Sequence, residues 1–157
     1  MQPQLRLIAV GLSLSILFFT GCTNKDVVPD FDTTQVAGRW RLTTARTSTK
    51  ITANGNLEVT NETRTGKATD IIEFKTNGTM TDPAGLFDDN AGTWNYSVKG
   101  SEITLNRVYK GYYTIALNNG TLTFTQNKDQ ATRTVKDSGF KNIEVIEADV
   151  KIDFVKL

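Results

Sequence analysis

The chain has 157 residues, with 18 Lys and Arg against 17 Asp and Glu, one cysteine and no histidine. A formal net charge of +1 gives no bulk attraction for nucleic acid. The lack of histidine removes the commonest general base and the commonest transition-metal ligand.

The first stretch, MQPQLRLIAVGLSLSILFFTGC, carries one positive charge at Arg6, an apolar run from Leu7 to Phe19, and then small residues. That order is the layout of a secretory signal peptide. The run is shorter than the roughly 20 residues of a transmembrane helix, so a retained membrane anchor is the weaker alternative. Phe19-Thr20-Gly21-Cys22 resembles a bacterial lipobox, with Phe19 standing where leucine is commoner. The resemblance implies cleavage before Cys22, a diacylglyceryl thioether on its sulfur, and an acyl chain such as palmitate on the new amine. Each buried methylene contributes about 0.8 kcal/mol, so several chains on one residue hold a protein firmly to a membrane. An acylated Cys22 leaves no thiol for a disulfide framework or for redox chemistry. The competing reading is a buried free cysteine in an ordinary secreted protein.

Residues 1–21 are thus expected to be a lipoprotein signal peptide, 22–35 a lipidated tether, and 36–157 a single domain. The tether, TNKDVVPDFDTTQ after Cys22, is polar, holds Pro29 and has no sustained period. Lys25-Asp26 resembles part of the charged signals that send some lipoproteins to the outer face of the outer membrane. Asp32-Thr33-Thr34 resembles an O-glycosylation site on Thr33 or Thr34, set against an unmodified linker. The expected location is the bacterial outer membrane, lipid-anchored, on its periplasmic or its exposed face.

From Gly38 onward apolar residues alternate with polar ones. Trp40 goes with Leu42, Ile72 with Phe74, Trp94 with Tyr96 and Val98, and Ile103 with Leu105. Tyr113, Ile115 and Leu117 follow, then Leu122 with Phe124, and Val150 with Ile152 and Phe154. A period of two with one polar face is the pattern of antiparallel strands buried on one side. Glycines at 55, 78, 100 and 120, most of them behind asparagine, mark hairpin turns. Strands are predicted near 38–47, 56–62, 68–76, 79–82, 91–98, 101–108, 111–117, 120–127 and 148–156. No ten-residue segment has a helical period, and a short helix or turn is expected only around 137–147. The fold class is all-β: an eight- or nine-stranded antiparallel up-and-down barrel, with a two-sheet β-sandwich as the alternative.

VAGRWRLT (36–43), IEFKTNGTMT (72–81) followed by GTWNYSVKGSEITL (92–105), and YYTIALNNGTLTFT (112–125) together resemble the lipocalin-like domains of bacterial lipoproteins. The resemblance implies a small calycin-type barrel with Gly38 and Trp40 at its closed end. It fits 127–147 poorly. A glycine allows close backbone approach, and a tryptophan two residues on can plug a barrel end, so both are expected to be structural. Trp40 as a ligand contact is the competing reading.

No catalytic constellation is found and no cofactor is implied. TDPAGLFDDNAG (81–92) offers Asp82, Asp88 and Asp89 as a weak metal candidate, but the spacing is not that of an EF-hand loop. A solvated loop rich in turn residues explains it better. The chain is therefore read as a non-enzymatic, lipid-anchored binding module, not a nucleic-acid binder. Its barrel interior is either filled or open to a small apolar ligand, lined by Trp94, Tyr96, Leu105, Tyr113, Ile115, Phe124 and Ile152. The alternative is a structural or interaction subunit that docks on an envelope protein or glycan through its outer surface.

Overall fold

The computed structural model describes residues 31–87 and 90–157. Cys22, the expected signal peptide, most of the tether, Asp88 and Asp89 lie outside the described residues. A short helix α1 (Thr33–Val36) leads into β1 (Gly38–Ala53), β2 (Asn56–Thr65), β3 (Ile71–Phe74), β4 (Thr79–Asp82) and β5 (Gly92–Lys99). Then come β6 (Glu102–Asn106), β7 (Lys110–Asn118), β8 (Thr121–Asn127), helix α2 (Lys128–Asp137) and β9 (Ile143–Lys156).

Each of β3 to β9 pairs antiparallel with its sequence neighbour, and β9 returns to pair with β1. The lower half of β1, Gly38–Arg41, pairs with β3, which closes an eight-stranded up-and-down barrel. The upper half, Thr44–Ala53, pairs with β2 on that same side. The remaining strand, β2, thus lies outside the barrel, where β2, β1 and β9 form a three-stranded arm that extends the wall. Closure removes the edges within the barrel, while the first part of β9, residues 143–148, pairs with β1 alone. The barrel alternative holds and the sandwich does not.

Trp40 is wholly buried at the lower end, and its indole Nε1–H donates to the carbonyl of Val36 at 2.8 Å. The Lys156 ammonium lies 5.3 Å from the centre of the indole ring. Gly38 has φ +133°, a conformation that L side chains rarely adopt. The tether boundary at 35 needs correction. Phe31 bridges to Gly100 and is buried in the core, and Asp32 caps α1 through the N–H groups of Thr34 and Gln35. The folded unit therefore includes residues from Phe31 onward.

Two further expectations change. β1 and β9 are longer than predicted, reaching Ala53 and beginning at Ile143. Their extra residues form the arm, where pairing on both sides of β1 replaces a core as the reason to stay extended. The helix falls at 128–137, with strand at 143–147 where a helix or turn was expected. Its N-terminus is a capping box: the Asn127 side chain accepts from the Gln130 N–H, and the Gln130 side chain accepts from the Asn127 N–H.

Candidate functional site

The barrel interior is the first place to look for a ligand, and aromatic rings occupy it. Phe74 lies 5.0 Å from Tyr96 and 6.0 Å from Phe124, centre to centre. Phe124 is in turn 5.9 Å from Tyr113 and 5.7 Å from Phe154. Rings at such separations are in packing contact. Tyr96, Leu105, Tyr113, Ile115, Phe124 and Ile152, six of the seven residues expected to face inward, are buried in this one core. Trp94 is half-buried against it, its ring so close over Gly92 that a Cβ there would lie 2.6 Å from Cζ2.

The mouth is covered by residues 83–87, which follow β4 and belong to the stretch expected to be a solvated loop. Leu86 and Phe87 pack on the core. The Phe87 ring sits 5.7 Å from Tyr113, 5.4 Å from Phe124 and 6.0 Å from Phe154. The Arg107 guanidinium lies over the same ring, 5.3 Å from its centre. Asp82 holds the loop in this position. Its carboxylate is fully buried, and Oδ2 accepts from the N–H groups of Leu86 at 2.7 Å and Phe87 at 3.3 Å. Asp82 thus spends acceptor capacity on its own loop. Among the described residues there is no group of three or more potential metal ligands of the Asp, Glu, His or Cys kind.

Beside the mouth, α2 packs on β7, β8 and β9. The Tyr112 hydroxyl donates to the Asp137 carboxylate, and Arg133 lies 3.9 Å over the Tyr112 ring while pairing with Glu102 at 2.7 Å. The bond to Asp137 raises the Tyr112 hydroxyl above the ordinary tyrosine range, with burial adding to it. These groups fasten a helix and leave no converging acid and base in a cleft.

The outer surface carries more exposed apolar area. Val108, Tyr109 and Phe140 stand exposed beside the mouth, with the Tyr109 and Phe140 rings 4.8 Å apart. On the arm Leu57 and Val59 are 59% and 58% exposed. The grooves are external as well. One of about 570 Å³ at the arm's tip is lined by Thr52, Asn54, Gly55, Asn142, Ile143 and Glu144. Another of about 290 Å³ crosses the arm between Arg46, Ser48, Asn61 and Asp149.

The arm is tied to the barrel where β2 ends. There Arg64 pairs with the buried Asp70 at 2.8 Å, and the Lys67 N–H donates to the same carboxylate oxygen at 3.1 Å. Burial works against the charged form of Asp70, but these two donors outweigh it and hold the carboxyl below the usual aspartate range. Neither the arm nor Phe87 was among the expected site residues. The Asn54-Gly55 turn marks the tip of the arm in the sequence, whereas Leu86-Phe87 stands among turn residues that give no local sign of its place. Comparison with protein-family models, with curated proteins and with solved structures finds no match to this chain.

Proposed function

We propose that the chain is a lipid-anchored, non-enzymatic module of the bacterial cell envelope that works through its outer surface, docking on another envelope protein or glycan. The observation that carries this is the Phe87 ring seated among Tyr113, Phe124 and Phe154, where a carrier would keep space for its cargo. The exposed apolar groups on the arm and beside the mouth support the same reading. The calycin-like barrel, with Gly38 and Trp40 at one end, is in keeping with the lipocalin-like lipoprotein resemblance. The anchor itself rests on the lipobox-like residues ending at Cys22.

Native mass spectrometry of the full chain, purified from its own membranes, tests the first point. The expected mass is that of the acylated protein alone; a stoichiometric small molecule would restore ligand carriage. Cell fractionation of Cys22→Ala tests the second, with release from the membrane expected. Equal retention would remove the anchor.

A further inference from the structure

We infer that two copies of this chain associate edge to edge through β2, as an antiparallel pair with its two-fold axis at Asn61. Among the described residues β2 pairs with β1 alone and stands at the end of the sheet. It is ten residues long, has no register shift against β1, and every residue but Thr60 is exposed. It contains no proline, no lysine and no bulge, three of the devices that keep such an edge from pairing, and its charges are Glu58, Glu62 and Arg64.

The hairpin fixes which backbone groups are free. Asn54 and Gly55, at φ 51° and 82°, form a two-residue turn, so the flanking pair Ala53 and Asn56 is hydrogen-bonded. Bonded pairs alternate along an antiparallel ladder, so residues 56, 58, 60, 62 and 64 turn their backbone groups towards β1. The next even position agrees, since Gly66 N–H donates to the Thr43 carbonyl at 2.9 Å. Leu57, Val59, Asn61, Thr63 and Thr65 therefore direct N–H and C=O outward.

A second copy fits this edge better than an arbitrary strand does, because the edge is complementary to itself. With the axis at Asn61, Leu57 meets Thr65 of the second copy, Val59 meets its Thr63, and Asn61 meets its Asn61. All five outward positions are then used. On the other face Glu58 meets Arg64 of the second copy, and by symmetry this happens twice. Glu58 has no ion pair among the described residues, while Arg64 is fixed by Asp70 with its side chain 44% exposed. Sliding the pair by two residues sets Glu58 against Glu62, or Glu62 against its own copy, and like charges opposite each other destabilise a sheet. Sliding by four leaves only three of the five bonded pairs.

The pairing does not depend on the anchor or on a filled barrel, so its failure and theirs are read separately. In membranes containing full-length Asn61→Cys, mild oxidation should give a disulfide-linked dimer. Facing bonded pairs bring Cα atoms to about 5.5 Å, within disulfide reach. The parent chain, which has only Cys22, and exposed Thr132→Cys on α2 should not cross-link above background. Co-expressed Val59→Cys and Thr63→Cys chains should give the mixed dimer that fixes the register. Thr63→Pro removes only an outward N–H and should abolish the dimer with the circular dichroism spectrum unchanged. Glu58→Arg should weaken association about tenfold, since two attractive pairs become repulsive. A monomer at all concentrations, equal cross-linking of Asn61→Cys and Thr132→Cys, or cross-linking of Asn61→Cys to a different protein would each overturn the inference.

Discussion

Removing the Phe87 ring is the sharpest test of a filled barrel. Phe87→Ala deletes a side chain that touches three core rings and lies under the Arg107 guanidinium. Full truncation of a buried phenylalanine costs about 3–5 kcal/mol. Phe87 is only half-buried, which scales the loss to about 2–3 kcal/mol with the cation–π contact included. With a urea m-value of about 2 kcal/mol/M, the unfolding midpoint should fall by about 1–1.5 M. Equilibrium urea unfolding followed by the fluorescence of Trp40 and Trp94 reads this directly. Phe87→Leu should recover more than half of the loss, because it refills most of the space. The variant should also gain binding of an apolar dye that the parent protein lacks. An unchanged midpoint, or a parent protein that already binds the dye, would mean that the ring does not fill the mouth, and the reasoning from a closed interior would fail.

Three further outcomes are expected. Because the Asp70 carboxyl is held below its ordinary value, the folded chain binds fewer protons than the unfolded chain near pH 4. Its contribution is complete above the unfolded pKa and is lost as pH falls through the depressed folded value. Asp70→Asn should flatten that acid limb and cost about 1–3 kcal/mol at pH 7, measured as denaturation midpoints across pH. Gly66→Ala places a Cβ 1.9 Å from the Leu42 carbonyl oxygen and should cost about 3 kcal/mol or more, or prevent folding. Gly55→Ala meets open space and strains only a turn at φ +82°, so it should cost about 1 kcal/mol, both glycine variants being measured by thermal melts.

The barrel was legible because each of its strands has a wet face and a dry one. Ile103 and Leu105 could only face inward, and Asn119-Gly120 could only turn the chain back. The arm was harder to read because no core lies behind it. TSTKITA, residues 47–53, shows no apolar alternation, and its strand character comes from pairing with β2 and β9 far along the chain. The second helix was hidden for a related reason. Only Gln130 and Ala131 are buried along KDQATRTVKD, so its apolar stripe is too thin to register as a period. Its capping box was written in the sequence at Asn127 and Gln130. Phe87 was misjudged because Pro83, Gly85 and the aspartates around it describe a turn, and nothing local says that a turn will fold back over the barrel mouth.

The seam between β1 and β9 also has a temporal side. The barrel is sealed by joining its first strand to its last along nearly their whole length. A growing chain can form the hairpins from β3 to β8 as they emerge. It cannot complete the ring until Phe154 and its neighbours arrive, and the longest loop must close last. Until then β1 keeps an open flank and the aromatic core lacks one wall. The fourteen residues of β9 therefore act as the clasp of the molecule, and the interval before they are available is when the chain most needs protection from other strands.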